Sequence, residues 1–366
     1  MKKYLYLPLL AAMVAFNGNA QQAQRLEATK ANEYALAYSL PKTMIDVTLE
    51  AEITVKKPGE FYKYAPKYLN ISDPITKESH SVRLLSAKIS THGIANASET
   101  YTVQFKSGQA VYVALNEAGI PLAINTEEVA AQKSVNLPVA VAATPTPLET
   151  AAAKQVISEE MLQCQSTAKR AELAAQYIFT IRQNRSELIA GQAESMPPDG
   201  KSLQLMLDNL QAQEDALMAM FVGTTSTYTQ VATFVINPDE LKEADTAKLT
   251  VARLSTIDGI VDSTDLSGSP VYLNLSVVSR ATMPVNDKDQ EIPFPKNGIP
   301  YRIPGQLQAT VTYDGKQYAN DKLDIAQLGI VYGLQPNSFT DKKSPIYILY
   351  SPSTGAILRQ GAASPN

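Results

Sequence analysis

Only one stretch of this 366-residue chain, Ser158 to Val222, has the apolar spacing of long helix, so the rest of its core has to be built from strands. Met161, Cys164, Ala168, Ala171, Ala175 and Ile178 recur at alternating steps of three and four, which aligns them on one helical face. Ser158, followed by Glu159 and Glu160, supplies a cap and negative charge at the N-terminus. Pro197 and Pro198, just before Asp199-Gly200, remove backbone donors and predict a turn. Leu203, Leu207, Leu210, Leu217 and Phe221 then form the stripe of a second helix, with Gln204, Asp208, Gln211 and Asp215 opposite and Gly223 as its stop. The spacing predicts a helical hairpin over 158–222, and self-association through that hairpin is one expectation.

On either side the pattern is β. Tyr34 to Leu40 reads as a strand ended by Pro41, and Ile45, Val47, Leu49, Ala51, Ile53 and Val55 alternate with polar residues as in a half-buried strand. The following loop, Glu60 to Asn70, carries Phe61, Tyr62, Tyr64 and Tyr68. Their rings suit packing over a sheet edge, or stacking on a sugar, which makes them the candidate binding residues. Further strands are predicted at 82–89 and 101–105, with a hairpin at 111–124 around Asn116 to Gly119. After the helices come strands at 231–236, 248–254 and 271–278, a proline-rich edge or surface loop over 283–304, and strands at 307–313, 325–332 and 346–350, the first of these turning at Asp314-Gly315. The expected fold class is α+β, two antiparallel β domains of the β-sandwich kind joined by a central helical hairpin. The expected divisions are a signal peptide at 1–20, an N-terminal β domain at 21–137, an Ala/Pro/Thr-rich linker at 138–157, the hairpin at 158–222, a C-terminal β domain at 223–360 and a tail at 361–366.

Residues 1–20 combine Lys2 and Lys3, an apolar run to Phe16, and the small residues Gly18 and Ala20, the pattern of a signal peptide cleaved before Gln21. The run is short for a bilayer, and no later stretch spans one, so no transmembrane segment is expected after cleavage. Cleavage removes two positive charges and takes the formal net charge from −4 to −6. Without a basic block to neutralise phosphates, nucleic acid is not an expected partner. Cys164, the only cysteine, rules out an intramolecular disulfide and, lying on the apolar stripe, reads as a buried structural thiol.

The chain offers little catalytic pattern. Its only histidines, His80 and His92, lie outside any His-Glu-x-x-His helix, and no metal or cofactor is predicted. Ser166-Thr167-Ala168-Lys169 has the form of a serine-x-x-lysine element, but the companion elements are missing. Asp287, Asp289 and Glu291 lack the glycine and closing glutamate of a calcium loop and read as a solvated acidic loop. No catalytic residue is assigned. The leading expectation is a non-catalytic binding or structural component of the cell envelope, with an envelope protein or a glycan as partner. The alternative is a hydrolase of glycans or peptides, which a cleft with two carboxylates, or His80 or His92 beside an acid and a nucleophile, would favour.

Several segments carry a resemblance. Tyr38-Ser39-Leu40-Pro41-Lys42-Thr43, Pro58 to Ala65, Arg182 to Gly191, Tyr301-Arg302-Ile303-Pro304-Gly305, Ala326-Gln327-Leu328-Gly329 and Ser353-Thr354-Gly355 resemble domain-of-unknown-function family 4831, secreted proteins of Bacteroides-type bacteria. The resemblance implies Gram-negative export, to the periplasm or an outer-membrane-associated location, and carries no activity or cofactor with it. In such bacteria Asp245-Thr246-Ala247 and Asp262-Ser263-Thr264 look like acceptors of O-linked glycans, at Thr246 and Ser263.

Overall fold

The alternation expected at 45–55 is the middle of one 23-residue strand, β2 (Ala35–Lys57), which follows a two-residue strand β1 (Gln24–Arg25). This computed structural model describes residues 24–25, 35–104, 112–130, 146–340 and 345–363; the expected signal peptide and the first part of the expected linker lie outside them. β2 pairs with the 26-residue β3 (Ser79–Gln104). Between them lie a short 3-10 turn at Tyr62–Tyr64 and helix α1 (Ala65–Leu69). At about 3.3 Å per residue such strands reach on the order of 75 Å, several times an ordinary strand, so one hairpin can serve two cores.

β4 (Val113–Leu115) and β5 (Pro121–Ile124) form the short hairpin expected there. Helices α2 (Ala151–Gln155), α3 (Glu159–Gln163), α4 (Thr167–Ala190) and α5 (Gly200–Val222) follow. The remaining strands are β6 (Thr224–Ile236), β7 (Thr246–Ser255), β8 (Gly259–Asp262), β9 (Ser269–Ser279), β10 (Ile299–Tyr313), β11 (Lys316–Leu334), β12 (Ile346–Tyr350) and β13 (Ile357–Ala362), with helix α6 (Asn337–Thr340) before β12. They form three antiparallel sheets, ordered β1-β3-β2-β6, β11-β10-β9-β7-β8 and β13-β12-β5-β4.

The strands do not sort into separate N-terminal and C-terminal β domains. β6, beyond the helices, lies along β2 from Ile45↔Ile236 to Lys57↔Thr224, and β12 pairs with β5 at Ile348↔Ile124. Period-2 alternation reveals a strand's faces but not its partner, and here the partners come from opposite sides of the helices.

The first two sheets pack face to face as a sandwich. Ile45, Val47 and Leu49 of β2 meet Leu273, Leu307 and Val311, all fully buried. Each such side chain contributes roughly 1.5–3 kcal/mol relative to exposure. Further back along β2, Tyr38 and Leu40 enter a different core with Tyr101, Ile124, Ile348 and Tyr350 under the third sheet. The buried apolar positions on β2 are thus even before Pro41 and odd after it. One unpaired residue inverts the faces of a strand, and the register of β2 against β3 does shift between Ser39 and Pro41.

The helical segment starts where the spacing places it, but the first helix is broken. Cys164 is extended (φ −79°, ψ 119°) and half-buried, because Ser166 caps α4 by accepting from the Lys169 amide at 3.4 Å. The expected fully buried thiol is therefore not seen. The Ser-x-x-Lys pattern is a helix cap. Ala171, Ala175 and Ile178 are buried as predicted, and α4 ends at Gly191 with φ +70°. α4 and α5 are joined through Glu214, held by Arg182 at 2.7 Å and Arg185 at 2.9 Å. Residues 146–157, expected as extended linker, instead form a 3-10 turn at Pro147–Glu149 and α2. Thr146 and Glu149 make a capping box, and Ala153 and Val156 sink into the helical core. Two of the prolines expected in a surface loop, Pro300 and Pro304, lie within β10, and the expected tail begins inside β13, where Ala362 pairs with Ile346.

Candidate functional site

Two register shifts face the same space. On β2 a single residue, Leu40, separates Ser39 and Pro41, while on β3 their partners Thr100 and Ala95 are separated by Asn96, Ala97, Ser98 and Glu99. On β10 only Pro304 lies between Ile303 and Gly305, while on β11 their partners Ile330 and Ile325 are separated by Ala326, Gln327, Leu328 and Gly329. Both bulges therefore sit at a strand proline, a residue that cannot donate to a ladder and that a paired strand tolerates where the ladder is interrupted. The bulges line one cavity of roughly 310 Å³, with Pro41, Lys42, Lys242 and Arg302 completing its wall.

The cavity is polar and charged. Arg302 is 6% exposed; its Nη2 bonds to Glu99 Oε2, which also accepts from Asn96 Nδ2 at 3.0 Å. Its Nε is buried and unpartnered among the described residues. Such a group costs about 1–3 kcal/mol unless something accepts its proton. Lys42 and Lys242 both reach Asp239, the second at 3.3 Å. Burial pushes the Asp239 carboxyl up, but hydrogen bonds from Lys42, Asn237 and Lys242 outweigh this and hold it below the usual carboxylate range. Three cations against the carboxylates of Glu99 and Asp239 leave one positive charge around the cavity.

The frame around the cavity is tightly bonded. Thr43, fully buried, donates its amide to Gln327 Oε1 (3.1 Å) and accepts on its carbonyl from Gln327 Nε2 (2.8 Å). Its hydroxyl donates to the Ser353 carbonyl (2.8 Å) and accepts from the Ala326 amide (2.9 Å). The Arg302 amide donates to the Gly355 carbonyl at 3.0 Å. The segments around Pro41, Arg302, Gln327 and Ser353, more than three hundred residues apart at the extremes, thus meet at one place.

The residues singled out from sequence lie elsewhere. Phe61 is fully buried, its ring 5.5 Å from that of Phe221, and cannot present a binding face. Tyr64 and Tyr68 pack at the edge of the helical core, 6.1 Å apart, while Tyr62 is half-buried. Their segment caps α5: the Phe61 amide donates to the Met220 carbonyl at 2.7 Å, and the Ile75 amide to that of Val222 at 2.9 Å. Thr246 is exposed at the start of β7; Ser263 is half-buried, its carbonyl accepting from Arg253 at 3.0 Å.

His80 pairs with Glu78 at 3.2 Å on the surface. His92 Nδ1 lies 2.7 Å from Oδ2 of Asp46, a buried carboxylate whose Oδ1 has no partner among the described residues. Asp289, with φ +57°, belongs to a tight turn closed by the Asn286 amide on the Gln290 carbonyl (2.8 Å). Among the described residues no three of His, Cys, Asp and Glu come together as a metal-binding group, and no helix is long and apolar enough to cross a membrane.

Lys42, Glu99, Lys242 and Arg302 were not legible as a site from spacing, since each belongs to a different segment. The signal available was the pair of prolines inside strands. A family model described as a domain of unknown function (DUF4831) matches residues 34–358, which include every residue of the cavity wall. Comparison with curated proteins and with solved structures gives no match.

Proposed function

The chain belongs to the family described as a domain of unknown function (DUF4831), and we propose that it acts as an exported, non-catalytic binding component of the cell envelope, in the periplasm or at the outer membrane. The observation that carries this reading is the cavity between the two bulges, walled by Lys42, Lys242 and Arg302, with a buried guanidinium nitrogen still lacking an acceptor. Convergent polar groups on a rigid, well-bonded frame are what a binding site for an envelope glycan or protein requires. The mature chain, immobilised and washed with solubilised envelope from its source, is expected to retain a component that the Lys242→Ala variant releases. Equal retention by both proteins, or none by either, overturns the reading.

A hydrolase is the second reading, favoured by the Asp46–His92 pair. A buried carboxylate 2.7 Å from an imidazole nitrogen is the arrangement that orients a general base. Turnover of a glycan or peptide substrate, lost in His92→Gln, would establish it; identical turnover in the variant would remove it. O-glycosylation at Thr246 or Ser263 belongs to the same export reading. An intact mass of the mature chain equal to its bare sequence removes that part.

A further inference from the structure

We infer that the cavity between the bulges binds the carboxylate of an acidic sugar, held by Arg302, Lys42 and Lys242 with the ring against Asn96 and Ser98. The inference rests on the binding reading and names its ligand. Charge gives the first argument. Arg302 is buried with one bond spent on Glu99 and a second donor, Nε, unspent. A carboxylate oxygen is an acceptor that suits a guanidinium, as is a phosphate oxygen. Lys42 and Lys242 share Asp239 between them, so the surrounding excess is a single positive charge, enough for one carboxylate. A phosphate dianion would bring a second negative charge close to Glu99 and Asp239 and meet their repulsion.

Size and lining give the second. A cavity of roughly 310 Å³ has room for one ring rather than a run of peptide. Its wall has no aromatic residue, so a neutral sugar would find no stacking face, whereas Asn96 and Ser98 supply the polar contacts that ring hydroxyls need. The bulge that presents them is held in shape by its own bonds, Ser98 Oγ to Asn96 Oδ1 at 2.8 Å and Asn96 Nδ2 to Glu99 Oε2 at 3.0 Å. The site is therefore largely formed before a ligand arrives.

The experiment is calorimetric titration of the mature protein with glucuronate, glucose, acetate and inorganic phosphate. Glucuronate is expected to bind more tightly than the other three, and less tightly as salt is raised. Replacing Arg302 would strand Glu99 and risks the fold, so two rim variants carry the test. Lys242→Ala should weaken glucuronate binding on the order of tenfold, and Asp239→Asn, which frees both lysines, should tighten it. Misfolding cannot produce a gain. Phosphate or glucose binding as well as glucuronate, acetate matching it, no binding of glucuronate, or either variant shifting the affinity in the direction opposite to its expected one would overturn the inference. If glucuronate fails while the immobilised chain still retains an envelope component that Lys242→Ala releases, the ligand class is wrong and the binding reading stands. If neither is seen, both fall.

Discussion

Gln327 pairs with Thr43 as a neighbouring strand would: its side-chain oxygen accepts the Thr43 amide at 3.1 Å and its side-chain nitrogen donates to the Thr43 carbonyl at 2.8 Å. A side chain from the β11 bulge thus stands in for a ladder partner on the edge of β2, beyond its last pair with β6 at Ile45↔Ile236. The Thr43 hydroxyl, bonded to Ser353 and Ala326, ties all three sheets at one point. Thr43→Val keeps the shape but leaves a buried carbonyl and amide without their partner. It should lower stability by roughly 2–4 kcal/mol in urea unfolding. A double cycle with Gln327→Met should show coupling of about 0.5–3 kcal/mol, since the two share one network. Additive losses would mean the two act separately.

Much of the strand content was legible because burial on one face leaves a period of two, as at Ile45 to Ile53. The Asp314-Gly315 turn was legible because both residues take positive φ. The joining of strands was not. Pro41 read as a stop and Pro300 and Pro304 as loop, since a proline removes a ladder donor; the bulges absorb that loss at Pro41 and Pro304, and Pro300 lies where β10 pairs with β11 alone. Phe61 illustrates the limit for sites. An aromatic in a polar loop has the same local pattern whether it faces solvent or, as here, packs on Phe221. The cavity itself is a product of register, which no single segment encodes.

Gly59 and Gly223 bracket the C-terminus of α5, and backbone fills the space a side chain would need. A Cβ on Gly59 would lie 2.2 Å from the Met220 carbonyl oxygen, and one on Gly223, where φ is +87°, 2.4 Å from that of Lys57. Alanine at either position should cost more than about 2 kcal/mol and open the α5 terminus to proteolysis. Gly119 is the control. Its φ of +75° is equally left-handed, but nothing lies within 4 Å, so Gly119→Ala should cost only about 1 kcal/mol. Equal losses at Gly119 and Gly223 would show that backbone angle, and not contact, sets the effect.

Tyr38 and Tyr350 stand in one core with opposite hydrogen-bond fortunes. Tyr38 donates to the Pro300 carbonyl at 2.6 Å, whereas the buried Tyr350 hydroxyl has no partner among the described residues. Tyr38→Phe should therefore destabilise by about 1 kcal/mol, and Tyr350→Phe should be neutral or stabilising. Burial raises both phenols well above their ordinary value, with neighbouring tyrosines adding to it. A raised folded pKa means that the unfolded chain loses its phenolic protons first. The stability these residues contribute is thus complete below about pH 10 and falls as pH rises beyond it. Urea midpoints between pH 8 and 11 should drop less steeply in Tyr350→Phe than in the parent protein. A parallel fall would assign the alkaline sensitivity elsewhere.

Self-association through the helix pair is the expectation with the most direct physical test. Phe179, Ile189 and Leu205 are 51, 68 and 63% exposed, although α4 and α5 bury Ala171, Ala174, Ala175, Ala216 and Phe221 within the helical core. Apolar side chains left in water on a helix gain roughly 1.5–3 kcal/mol each on full burial, enough for three of them to support a weak dimer but not a tight one. Sedimentation equilibrium of the protein should then show association that grows with concentration and weakens when the three are changed to serine. Because all three lie outside the buried core, the variant should keep the thermal midpoint of the parent chain. A parent protein that sediments as a monomer throughout would remove the helix pair as an assembly surface.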